Sequence, residues 1–84
     1  MLVETVSVLR LRVVADAHPG ALLRVLERFQ NLNVLPRRVV AEFGTTDAVH
    51  IQVDIAGVSE KMLTLITGKL AQVPCVLDAR WHRA

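Results

Sequence analysis

The chain has 84 residues, 52% of them hydrophobic and 21% charged, with ten Lys and Arg against eight Asp and Glu. That length holds a single small domain, residues 1–84, near the size at which folding buries only about 60% of the unfolded chain's surface, so association with a partner is expected. The composition excludes a disordered polar chain, the excess of two positive charges contains no basic block, and charged residues interrupt every apolar stretch before the roughly eighteen residues that a membrane span needs.

Residues 1–5, MLVET, lack the charged start and long apolar run of a secretory signal, which makes the cytoplasm the expected compartment. Leu9, Leu11 and Val13 then alternate with Arg10 and Arg12, a period of two that predicts a first strand over residues 5–14. His18-Pro19-Gly20 follows as a strand-to-helix turn. Pro19 fixes its own φ, and Gly20, lacking Cβ, lets the amides at a helix start come close to another molecule. Leu22, Val25, Leu26 and Phe29 recur at helical spacing and predict a first helix that ends near Gln30. Asn31-Leu32-Asn33 reads as its stop, because asparagine tolerates the left-handed backbone.

From residue 35 to 43, Val39, Ala41 and Phe43 alternate with Arg38 and Glu42 and predict a second strand with those three residues inward. Pro36 places it at a sheet edge. Residues 44–47, GTTD, form a polar turn into a third strand in which Val49, Ile51, Val53 and Ile55 point inward, so strands two and three make a hairpin. Ser59 is a good N-cap for a second helix whose core face comprises Met62, Ile66, Leu70 and Val73 with Leu63 beside them, and Gly68 offers a close approach to the sheet. Pro74 ends that helix. Cys75, the only cysteine, excludes an internal disulfide and reads as a buried thiol. Leu77, Ala79 and Trp81 alternate with Asp78 and Arg80 to give a fourth strand, followed by a short basic tail, His82-Arg83-Ala84.

This order predicts an α+β, ferredoxin-like βαββαβ sandwich, a four-stranded antiparallel sheet with both helices on one face. Right-handed crossovers put strands one and three in the middle and strand two on an edge. The open face then carries Arg10, Arg12, His50, Gln52, Asp54, Asp78 and Arg80, which reads as a solvated surface with cross-strand ion pairs. An RNA-binding sheet of this topology needs exposed aromatics on its central strands, whereas Phe29, Phe43 and Trp81 all fall on inward positions. The three histidines are scattered, with no paired carboxylates or Cys-x-x-Cys beside them. No metal, cofactor or catalytic site is therefore expected.

The run HPGALLRVLERF over residues 18–29, followed by Asn33-Val34, resembles the signature of the ACT domain, and within that family it is similar to the small regulatory subunits of acetolactate synthase (acetohydroxyacid synthase). The resemblance implies a non-catalytic regulatory subunit, cytoplasmic, without cofactor, that forms a homodimer or higher oligomer and binds a large catalytic synthase chain. It implies a branched-chain amino acid such as valine as effector, bound between protomers at the loop before the first helix and the start of the second strand. Carried over by position, Gly20 and Ala21 offer N–H groups to the effector's α-carboxylate, and Leu22 adds a third. Asn33 contributes its side-chain amide, while Leu23 and Leu35 wall an aliphatic pocket. Ala17 stands where the family often has Asp or Asn two residues before the proline. Asp16 is one place earlier, and with His18 it completes the candidate loop.

The missing polar group at Ala17 and the short link from Phe29 to Asn33 motivate a second reading, a structural subunit that activates the synthase by contact and binds no effector. A third is an anion- or nucleic-acid-binding module that uses Arg10, Arg12, Arg37, Arg38 and Arg80. It ranks last because those arginines are interleaved with acids.

Overall fold

The computed structural model describes residues 8–44 and 47–84. Its elements follow in the order β1 (Val8–Asp16), α1 (Ala21–Asn31), β2 (Arg38–Phe43), β3 (Ala48–Ala56), α2 (Glu60–Ala71) and β4 (Val76–Arg83). Residues 1–7, which include the segment expected to lack a secretory signal and the expected start of the first strand, lie outside the described residues, as do Thr45 and Thr46 of the expected hairpin turn. The four strands form one antiparallel sheet in the order β2-β3-β1-β4, so the sequence-based topology holds, with β2 at an edge.

The core lies between one sheet face and the two helices. Leu9, Leu11, Val13 and Ala15 of β1 and Val49, Ile51, Val53 and Ile55 of β3 are all buried, as their period-two spacing requires. From the helices come Ala21, Val25 and Phe29 and, on the other side, Leu63, Ile66 and Leu70, with Val73 and the Cys75 thiol closing the end. Ser59 caps α2 as expected, its Oγ accepting the Met62 N–H at 3.0 Å.

Several residues expected in the core stay uncovered where a strand has a neighbour on one side only. Val39, Ala41 and Phe43 share the face of the buried Val53, Ile51 and Val49, and Ala41 packs against the core, but Phe43 is 60% exposed, Val39 is exposed and no residue of β2 is buried. Leu35 lies before the strand, which begins at Arg38. On β4, Leu77 points outward because the β1–β4 register shifts there. Ala15 pairs with Val76 and Val14 with Asp78, which leaves Leu77 as the extra residue of a bulge. Beyond the bulge the alternation continues with Ala79 and Trp81 half-buried against the core, and His82 and Arg83 belong to β4 instead of forming a tail. One reading of α2 also changes. Met62 packs against the core as expected of its face, though half-buried, whereas Gly68 faces away from the sheet, where a Cβ would meet no atom within 4 Å.

Candidate functional site

The turn before α1 is closed by its own hydrogen bonds. The Asp16 N–H donates to the Cys75 carbonyl at 2.8 Å and the Ala17 N–H to the Asp47 carbonyl at 3.0 Å, which ties the end of β1 to both neighbouring loops. The His18 carbonyl accepts the Ala21 N–H at 3.0 Å, and His18 Nδ1 accepts the Gly20 N–H at 3.2 Å. An Nδ1 that accepts leaves the proton of the neutral ring on Nε2, so Nε2 is the donor of the neutral His18 ring. Gly20 itself has ordinary right-handed geometry, φ −84° and ψ −9°, and a Cβ there would make only ordinary contacts with the His18 ring at 3.5 Å. Neither strain nor crowding within the chain calls for glycine at this position.

Of the three amides expected to meet a carboxylate, those of Gly20 and Ala21 thus already have acceptors in His18. The Leu22 N–H has no acceptor among the described residues and stands at the positive end of the α1 dipole. Asp16 is exposed at the end of β1, while the Ala21 side chain is buried in the core, so Ala21 can offer a ligand only its backbone.

At the other end of α1 the expected stop is present in full. Asn33 has φ 56°, its N–H donates to the Gln30 carbonyl at 3.0 Å, and the Val34 N–H donates to the Phe29 carbonyl at 2.8 Å. This is a Schellman cap with asparagine in the left-handed position. The backbone it turns opens a groove of about 500 Å³ between α1 and the start of β2, lined by Leu26, Phe29, Gln30, Asn33, Val34, Leu35, Pro36 and Val39. Leu35 is 88% exposed on its rim. Leu23, the other expected wall residue, is exposed on α1 and does not line this groove. Leu26 and Pro36 are half-buried and Leu26 packs against the core, whereas Val39 is exposed because β2 lies at the sheet edge.

The candidate residues therefore form two groups, Asp16, His18, Gly20, Ala21 and Leu22 at the N-terminal end of α1, and Asn33 and Leu35 at its C-terminal end. The helix between these ends has eleven residues and spans roughly 16 Å along its axis at about 1.5 Å per residue. On the sheet's open face, Arg10 holds Asp54 in a two-point ion pair, with Nε to Oδ1 at 2.8 Å and Nη2 to Oδ2 at 3.2 Å. This is a cross-strand ion pair of the kind expected on this face, but Asp54 within it is only 6% exposed. The Arg10 hydrogen bond holds its carboxyl below the ordinary 3.8, against the opposing effect of burial. The other ordered pair of that face, Arg80 with Asp78, runs along β4 and does not cross strands. No group of metal-binding side chains occurs among the described residues, and no helix there is long and apolar enough to cross a membrane.

Residues 3–84 match a family model described as an ACT-like domain. No curated protein matches the sequence. Among solved structures, the ACT domain from GTP pyrophosphokinase of Chlorobium tepidum superposes with a TM-score of 0.77 at 17% identity, covering 93% of this chain and all of that one. The C-terminal domain of the MgtC protein from Mycobacterium tuberculosis gives 0.76 at 17% identity over 100% of this chain and 94% of that one. A homoserine dehydrogenase from Thiobacillus denitrificans gives 0.73 at 18% identity, with 94% of this chain matching 17% of the larger enzyme. At these identities the likeness is one of fold.

Proposed function

The chain belongs to the ACT-like domain family, and we propose that it is a regulatory subunit that binds a small aliphatic amino acid between two copies of itself and conveys its presence to a catalytic partner. ACT domains are regulatory, non-catalytic modules. In the finer reading the partner is acetolactate synthase and the effector a branched-chain amino acid, with valine the first to try.

The observation that carries this reading is the separation of the two half-sites. A free amino acid cannot touch both ends of α1 when they are roughly 16 Å apart. Two copies arranged with the turn of one against the groove of the other bring Leu22 N–H, Asp16 and His18 together with Asn33 and Leu35 of the second. In that arrangement the α-carboxylate takes the Leu22 amide at the helix dipole, and Asp16 is the nearest acid for the ammonium. The aliphatic side chain enters the groove beside Leu35 and Val39.

Calorimetry with valine, leucine and isoleucine, with the melting temperature followed in parallel, tests the effector. The expected result is saturable heat and a raised melting temperature for at least one of them, since a ligand that binds only the folded assembly stabilises it. Asn33→Gly keeps the left-handed backbone and removes the side-chain amide, so it should weaken binding about tenfold with little change in stability. Absence of heat and of any melting shift with all three amino acids would sink the sensing role.

One observation favours the alternative of a contact activator with no effector: His18 already occupies the Gly20 and Ala21 amides. For that reading, the chain should co-purify with a large synthase subunit and raise its activity to the same extent with and without amino acids.

A further inference from the structure

On the sheet face away from the helices, one row crosses all four strands. Arg38 on β2, Asp54 on β3, Arg10 on β1 and His82 on β4 stand side by side in the register. The carboxylate in that row is bound at both oxygens by Arg10, so its charge is already compensated. Arg37, just before β2, is held next to the row because its N–H donates to the Asp54 carbonyl at 2.7 Å. A cavity of about 540 Å³ lies against Val8, Arg10, Arg37, Arg38, Asp54 and Ala84. Arg37 and Arg38 are exposed there, and among the described residues neither has a carboxylate within ion-pair distance.

We infer that this cavity binds a small molecule carrying a phosphate or diphosphate group, gripped by Arg37 and Arg38 with Arg10 behind them. Three guanidiniums against one side-chain carboxylate leave an excess of positive charge over the cavity, which favours a phosphate group. Planar guanidinium forks also suit the paired oxygens of a phosphate. Asp54 has a part in this arrangement: its two-point contact holds the Arg10 guanidinium in place within the row. Arg12, one row along the same face, donates to His82 Nε2 at 3.1 Å and adds a further positive charge. The groove beside Leu35 is separate in lining and in chemistry, being apolar, so this site does not depend on the amino-acid reading.

The test is calorimetric titration of the whole chain with pyrophosphate at fixed low salt, comparing the wild type with the double variant R37Q/R38Q and with K61Q/K69Q. Both variants lose two positive charges, but Lys61 and Lys69 lie exposed on α2, away from the cavity. Saturable binding is expected in the wild type. R37Q/R38Q should weaken it about tenfold or more, whereas K61Q/K69Q should change it by less than about twofold. Circular dichroism checks that R37Q/R38Q keeps its fold, as two exposed side chains should allow, and pyrophosphate should raise the melting temperature of the wild type and of K61Q/K69Q but much less that of R37Q/R38Q. Three results overturn the inference: no saturable binding, equal weakening in both double variants, or tighter binding of a single-stranded oligonucleotide than of pyrophosphate. Valine binding takes no part in these readouts, so the two sites stand or fall separately.

Discussion

Asp54 shows how much one residue's position depends on neighbours distant in sequence. Its place on the open face follows from the alternation of β3, yet its burial comes from Arg10, 44 positions away, and from Arg38 across the other register. Cross-strand ion pairs are expected on such a face, but local periodicity does not say which residues pair or that one pairing buries a carboxylate. The depressed titration of Asp54 has a consequence for stability. A group whose folded-state value lies below its unfolded one stabilises the fold above the unfolded value and loses that contribution as pH falls through the folded one. The expected window therefore begins near pH 4 and extends downward. In urea titrations at several pH values, Asp54→Asn should be less stable than the wild type at pH 7, and its stability should fall less steeply below pH 4. Parallel curves for the two proteins would show that the pair contributes nothing to folding. Asn33 is the opposite case, a residue whose role is local. Its left-handed φ was legible because the helix stop is made by the residues immediately around it.

At the scale of elements, type and order were legible throughout because the buried faces of β1, β3, α1 and α2 each repeat with the period of their own structure. The departures occur where an element is not symmetrically surrounded. Phe43 and Val39 have the spacing of core residues but lie on an edge strand, and Leu77 has the spacing of one but falls at a bulge created by pairing with β1. Gly68 is instructive for α2. In sequence it reads as a contact with the sheet, whereas it lies on the solvent side of the helix, where it only weakens the element. Gly68→Ala should accordingly raise stability by about 0.5–1 kcal/mol, as expected for removing an unneeded glycine from a helix interior, and urea denaturation will show it as a higher midpoint with an unchanged slope. A destabilised Gly68→Ala protein would mean that this side of α2 is covered in the assembled state.

At the scale of the whole molecule, one border of the sheet carries an apolar surface. Among the described residues β2 is, like β4, an edge strand, and beside it Leu35, Val39 and Phe43 expose apolar surface, an arrangement that soluble monomers usually blunt with charge. A second copy pairing β2 with β2 in antiparallel fashion would continue the sheet to eight strands and lay its α1 against the open groove. The same union would bring the two separated half-sites toward one another, so assembly and effector binding should fail together. Val39→Lys places a charge on that border without touching the buried core, and by sedimentation it should shift the protein from dimer to monomer. Valine should strengthen the wild-type dimer, by about 2.7 kcal/mol at a hundredfold excess over its dissociation constant, and should have no effect on the monomeric variant. A Val39→Lys protein that remains dimeric would move the interface away from β2, and one that is monomeric yet still binds valine would mean that a single copy holds a complete site.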